Sequence, residues 1–275
     1  MSLFRCPICG SPLSREGNCY RCPNRHSYDI SREGYVHLLP ANKKHSANPG
    51  DDKEMISART AFLDGGWYAP LREALSRLAV ELTPETPALL DAGCGEGYYT
   101  KGMVSALEAA GKTPSAAGID LSKFGLKKAA KRAKGVEFAV ASVYHLPVED
   151  TSVDLLVDCF APLALEEYLR VLKLGGHFLY VVPTANHLME LKSVLYENPY
   201  PNPEQAVPYE GFDYVDIVPV TAVMPIRDNS TLMALFRMTP YGWKTPKEGV
   251  ERLTALHELD VTMDFRLHVF QKGQG

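Results

Sequence analysis

The feature that most constrains this chain lies between residues 88 and 120. A short apolar run, Ala88 to Asp91, turns through Gly93-Cys94-Gly95-Glu96-Gly97 into a helical stretch, Tyr98 to Ala110, and a second apolar run follows, Ala116 to Asp120. Three glycines in one strand-to-helix turn let the backbone approach a ligand where a β-carbon would collide. A loop built for a pyrophosphate sets its third glycine one residue later and offers the helix N-terminus to the phosphates. Here Gly97 comes immediately after Glu96, so the spacing suits a nucleotide-like ligand with no phosphate to hold. Asp120 stands 23 residues beyond Gly97, at a strand end where a carboxylate can accept two hydrogen bonds from ribose hydroxyls. A glycine loop alone is also an ordinary tight turn. Asp91, Asp120 and the later run Arg170-Val171-Leu172-Lys173-Leu174-Gly175-Gly176, in that order, favour a site for S-adenosylmethionine.

After Pro87, strand and helix signals alternate, the pattern of parallel strands joined by crossover helices in an α/β doubly wound sheet. Strands are predicted at 136–140, 154–160, 177–182, 215–222 and 261–271, and helices at 122–134, 163–172, 187–196, 232–238 and 247–259. Two helices precede the glycine loop. One spans Lys53 to Leu63 behind Asp51 and Asp52; the other starts near Pro70, with Leu71, Leu75, Leu78 and Leu82 at helical spacing. Over about residues 65 to 275 the chain resembles the class I methyltransferases. That resemblance implies a seven-stranded sheet whose last strand is antiparallel, with Asp120 and Leu121 on the cofactor. The family often carries an acid after the third strand to read the adenine amine; Ser142 stands there, so backbone contacts are expected instead.

A separate unit is predicted at residues 1–40, followed by a linker and helix at 41–64. Cys6-x2-Cys9, then twelve residues, then Cys22-x3-His26 gives four metal ligands on two knuckles, the spacing of a structural zinc site. Cys19 leaves an alternative open, since Cys19-x2-Cys22 is also a pair. So few residues cannot build a sufficient core, and a bound zinc contributes on the order of 10–16 kcal/mol in such small units. Charge is divided unevenly: residues 1–50 carry +4, and the rest of a chain of net charge −4 carries −8. The ribbon is therefore the better candidate to meet an anionic partner, although the net charge alone gives no argument for nucleic acid. Neither a run of about 18 apolar residues nor a secretory leader is present, so a soluble cytoplasmic protein is expected.

Zinc ribbon, linker and cofactor domain occur with the strings Arg32-Glu33-Gly34-Tyr35-Val36-His37-Leu38-Leu39-Pro40, Asp91-Ala92-Gly93-Cys94-Gly95-Glu96-Gly97-Tyr98-Tyr99-Thr100 and His187-Leu188-Met189-Glu190-Leu191-Lys192. Over essentially its full length the chain resembles the 23S ribosomal RNA guanine-N1 methyltransferases of the RlmA type. The resemblance places zinc on Cys6, Cys9, Cys22 and His26, and adds Tyr68, Tyr99, Thr100 and His187 to the cofactor contacts Asp91, Gly93, Gly95 and Gly97. It implies methyl transfer to N1 of a guanine in a hairpin loop of 23S RNA, and a homodimer whose two zinc modules frame a cleft. Guanine N1 must lose its proton, so a base is expected, with Asp158 and His187 as candidates. Phe160 and Tyr144 are candidates for stacking on a splayed-out base, and Lys43, Lys44, Arg25 and Arg59 for phosphate contacts. The competing readings are a small-molecule methyltransferase and a non-catalytic RNA-binding protein; the zinc ribbon argues against the first, the intact glycine loop and Asp120 against the second.

Overall fold

The computed structural model describes residues 2–40, 50–203 and 209–273; Lys43, Lys44, most of the expected linker and the end of the Pro-rich insertion lie outside the described residues. A small antiparallel sheet opens the chain, with β1 (Ser14–Glu16), β2 (Cys19–Arg21) and β3 (Ser27–Asp29). The central sheet then runs through β4 (Tyr35–His37), β5 (Ala88–Ala92), β6 (Ser115–Asp120), β7 (Glu137–Val140), β8 (Val153–Cys159), β9 (Leu172–Pro183), β10 (Phe212–Ile226) and β11 (Leu259–Lys272). Its spatial order is β10-β11-β9-β8-β5-β6-β7-β4. The pairings within β5 to β9 are parallel, while β11 lies antiparallel to both β9 and β10, as the resemblance implies.

The expected count of seven strands is corrected to eight. The extra strand, β4, comes from the N-terminal unit and pairs parallel with β7, Tyr35 opposite Phe138 and His37 opposite Val140. Three residues are too few to show a strand period in sequence. Tyr35 and Val36 are buried by this docking while His37 stays exposed.

The helices follow local signals. Asp52 caps α1 (Lys53–Asp64), its carboxylate accepting from the Met55 amide at 2.8 Å, and Pro70 opens α2 (Ala69–Glu81) where its missing N–H costs nothing. Gly97, at φ 79°, turns the chain into α3 (Tyr98–Ala109), and Ser122 caps α4 (Lys123–Arg132). Short helices α5 (Leu165–Val171) and α6 (Met189–Leu195) fall inside the expected ranges, while α7 (Asn229–Met238) begins earlier and α9 (Lys247–Ala255) ends earlier than expected; α8 (Tyr241–Lys244) lies between those two.

Two buried layers flank the sheet. One joins α2, α3, α6 and α7 to β8, β9 and β11. The other is shared across the chain: Phe4, Leu13, Tyr20, Ile30 and Val36 lie in one continuous cluster with Leu90, Ile119, Val148 and Phe178. Polar ties reinforce it. The Tyr20 hydroxyl and the Leu3 amide both donate to the Glu137 carboxylate, at 2.7 and 3.1 Å, and Arg5 pairs with Asp150 at 2.7 Å. The ribbon thus uses the methyltransferase sheet as part of its own core, which answers the shortage of apolar surface in a unit of this size.

Candidate metal centre and cofactor cavity

Cys6, Cys9, Cys22 and His26 place one ligand atom each within 4.8 Å of one another. Cys9 Sγ lies 3.7 Å from Cys22 Sγ, and His26 Nδ1 lies 3.4 Å from both Cys6 Sγ and Cys22 Sγ. A tetrahedral zinc with ordinary bond lengths sets its sulfurs about 3.8 Å apart and a sulfur and nitrogen about 3.6 Å apart, so the four residues fit that ion. Cys19 turns away, its thiol 3.4 Å from the Glu16 carbonyl, which decides the open alternative for His26. The Tyr28 hydroxyl, 3.0 Å from Cys6 Sγ, supplies the outer hydrogen bond that metal thiolates usually receive.

At the carboxyl ends of β5, β6, β7 and β8 opens a cavity of about 880 Å3, the position where open α/β sheets bind ligands. Tyr68, Gly93, Gly95, Tyr99, Asp120, Leu121, Ser142 and His187 all line it. Asp91, Gly97 and Thr100 do not. Thr100 donates its hydroxyl to Asp91, whose other carboxylate oxygen is buried with no partner among the described residues. Gly97 is needed for packing, because a β-carbon there would stand 2.9 Å from Ala129 of α4. Gly95 meets only the Arg59 guanidinium, at 3.6 Å, so at this position the loop backbone does face open cavity.

Asp120 holds the loop as well as facing the cavity. One oxygen accepts from the Gly95 amide at 2.9 Å and the other from the Ser122 amide at 2.7 Å. Burial pushes its carboxyl above the usual range, and pushes Asp91, Glu96 and Asp158 each up to about 7. Of these, Asp120 and Glu96 line the cavity while Asp91 and Asp158 are buried outside its lining, and desolvated carboxyls at its wall favour a ligand that brings positive charge. S-adenosylmethionine, with its sulfonium and ammonium, has that character.

The two candidate bases are placed differently. Asp158, with no exposure, does not line the cavity; it accepts from the Tyr168 hydroxyl at 2.7 Å and the Ala161 amide at 2.9 Å, fixing the turn that carries Phe160. His187 does line the cavity. Its Nδ1 accepts the Asp264 amide at 3.1 Å, and burial pushes its pKa down to about 3, so the ring is neutral. An amide only donates, so the ring proton sits on Nε2 and His187 offers a donor rather than a base.

Aromatic rings form one wall. Phe265 packs against His187 at 4.2 Å between ring centres, Tyr68 at 5.3 Å and Phe160 at 5.0 Å. Phe160 is half exposed and holds φ 70°, and Leu188 beside His187 holds φ 56°; non-glycine residues in the left-handed region persist where the surroundings fix them, and they cluster at working sites. Tyr144, also exposed, stands on the rim. Arg59 lines the cavity but is ion-paired with Asp51, and Arg25 is exposed on the zinc knuckle. Phe265, Tyr200 and Tyr241 were not legible in the sequence: Phe265 sits mid-strand, and the other two enter through long-range folding that leaves no local signal.

Comparisons with known proteins agree with this geometry. Residues 4–47 match the family model for the N-terminal region of RlmA, a zinc ribbon, and residues 85–216 match a methyltransferase domain. A Bacillus subtilis (strain 168) protein provisionally named a 23S rRNA (guanine-N1)-methyltransferase, YxjB, is 32% identical over 98% of this chain and 98% of its own length. The 23S rRNA (guanine(748)-N1)-methyltransferase of Streptomyces fradiae is 36% identical over 70% of this chain and 67% of its own. A Micromonospora griseorubida protein, provisionally named for the same guanine-N1 activity, is 37% identical over 68% of each.

Fold and site together define a class I S-adenosylmethionine-dependent methyltransferase with an N-terminal zinc ribbon. Within that class, the chain belongs to the 23S rRNA (guanine-N1) methyltransferase family.

Proposed function

We propose that this protein transfers a methyl group from S-adenosylmethionine to N1 of a guanine in a hairpin loop of 23S ribosomal RNA. The observation that carries the reading is the union of a four-ligand metal centre and a cofactor cavity on one shared sheet, in a chain whose full-length relative bears that activity in its name. When bound, the cofactor supplies an electrophilic methyl group. Asp120 and the Gly95 backbone hold its ribose end, and Tyr68, Tyr99 and His187 close around the rest. Phe160 and Tyr144 give the exposed aromatic surface on which an unstacked base rests.

Among the described residues, each carboxylate lining the cavity is already engaged: Asp51 with Arg59, Glu96 with Arg132, and Asp120 with two amides. The N1 proton therefore leaves to water, His187 Nε2–H donates to the base or the cofactor, and most of the rate comes from orientation, which can lower a barrier by roughly 7–11 kcal/mol. The ribbon and the segment after it, residues 1–50, carry +4 and grip the RNA. A homodimer is part of the same reading, supported by the apolar Val215, Ile217 and Val223 exposed on the edge strand β10. Among the described residues no helix is long and apolar enough to cross a membrane, which agrees with a cytoplasmic site of action. A methyl on N1 blocks Watson–Crick pairing, so reverse transcription of treated RNA should stop at one guanine. Read-through equal to that of untreated RNA would reject the proposal.

A further inference from the structure

A second, smaller cavity of about 290 Å3 shares Tyr98 with the cofactor cavity. Its wall brings together Arg72 and Ser76 of α2, Lys101 and Ser105 of α3, and Arg132 of α4. Apart from Tyr98, every ionisable side chain there is a cation. Arg132 is committed, to Asp64 at 2.8 Å and Glu96 at 2.6 Å. Arg72 and Lys101 are both partly buried, and neither side chain has an ion pair or hydrogen bond among the described residues. The Arg72 guanidinium lies 4.9 Å from the centre of the Tyr98 ring, and the buried Tyr98 hydroxyl has no partner. Gly102 makes room for this arrangement, since a β-carbon there would stand 2.5 Å from Arg72 Cγ.

Two half-buried cations without a carboxylate partner share one small cavity and repel each other, and the Tyr98 ring under Arg72 leaves that repulsion and the Lys101 charge unanswered. A guanidinium fork, an ammonium and two hydroxyl side chains lining one space instead match the acceptor oxygens of a phosphate. We propose that this cavity is a phosphate subsite, and that the phosphate it holds belongs to the backbone of the RNA substrate. The second half rests on the functional reading above. Docking a phosphate there would set the RNA strand against the far side of Tyr98, one residue beyond the glycine loop.

The test uses the full-length, zinc-loaded protein with Lys101→Ala and, as a variant that keeps the packing of Arg72, Ser105→Asp, which places an anion in the cavity. Phosphorus NMR linewidths of inorganic phosphate should report saturable binding to the wild type that both variants lose. The slope of log RNA affinity against log salt should fall by about 0.7–0.9, the share of one phosphate contact. S-adenosylmethionine affinity and zinc content should not change, which shows that the variants fold. Unchanged phosphate binding and unchanged salt slope in both variants would overturn the proposal. Loss of phosphate binding with the RNA slope unaltered would assign the site to free phosphate and overturn the RNA half. A wild-type chain that binds no RNA would overturn the functional reading, and the phosphate titration separates that failure from failure of the subsite.

Discussion

Replacing Phe4 by alanine tests whether ribbon and methyltransferase sheet unfold as one body. Phe4 has no exposure, packs edge-on to Tyr20 at 6.0 Å between ring centres, and bridges Val148 through its backbone. It belongs to the same buried cluster as Leu90, Ile119 and Phe178 of the central sheet. Truncating a fully buried phenylalanine costs about 3–5 kcal/mol in transfer and cavity energy. In a domain of this size each kcal/mol lowers Tm by about 2–4 °C, so the expected drop is roughly 6–20 °C. The assay follows two probes in one thermal scan, zinc release to a chelating dye and far-UV circular dichroism of the whole chain. A shared core predicts that both transitions move down together. Zinc release at a lower temperature with the bulk of the circular dichroism melting where the wild type does would refute the shared core and restore two independent domains.

Asp120→Ala removes the acceptor for the Gly95 and Ser122 amides and, on the proposed function, the acceptor for the ribose; calorimetry should show S-adenosylmethionine affinity weakened about 10- to 100-fold, the value of a charged hydrogen bond. Asp158→Asn should lower turnover by less than about tenfold while reducing Tm, because Asp158 lies outside the cavity; a loss of about 10²–10⁴, the usual share of a general base, would return it to that role. Burial raises Asp91 and Asp158 to about 7, so between about pH 4 and 7 the folded state keeps protons that the unfolded chain has released, and stability falls as pH rises. The ligand-free protein should therefore melt lower at about pH 8 than at about pH 7, a window above the unfolded histidine value of about 6.5, below which the lowered pKa of His187 acts in the opposite direction. Asp91→Asn should flatten that slope, and an unchanged slope would count against the raised carboxyl.

Much of the cofactor domain was legible because its signals are local. The strand ending at Asp91, the glycine turn and the capped starts of α1 and α4 each need only a few neighbouring residues. The metal ligands were readable for the same reason, as paired spacings. What sequence could not show is long-range. Tyr35–His37 becomes a strand only because β7 offers an edge 103 residues further along the chain, Phe138 pairing with Tyr35 and His37 with Val140. The tautomer of His187 depends on the Asp264 amide, separated from it by 77 residues. Asp158 looked like a cavity acid from its place at a strand end, yet the turn through Phe160 folds over it and leaves both its oxygens occupied. The role of Gly97 in packing against Ala129 was likewise hidden, since the loop pattern names the glycine without naming its neighbour.

The central claim is tested most directly by incubating the zinc-loaded protein with labelled S-adenosylmethionine and 23S ribosomal RNA, digesting the RNA to nucleosides and identifying the labelled product by mass spectrometry. The account predicts 1-methylguanosine as the labelled nucleoside, from a single position. Label found in any other nucleoside, or no label in the RNA while the protein binds S-adenosylmethionine, would contradict it.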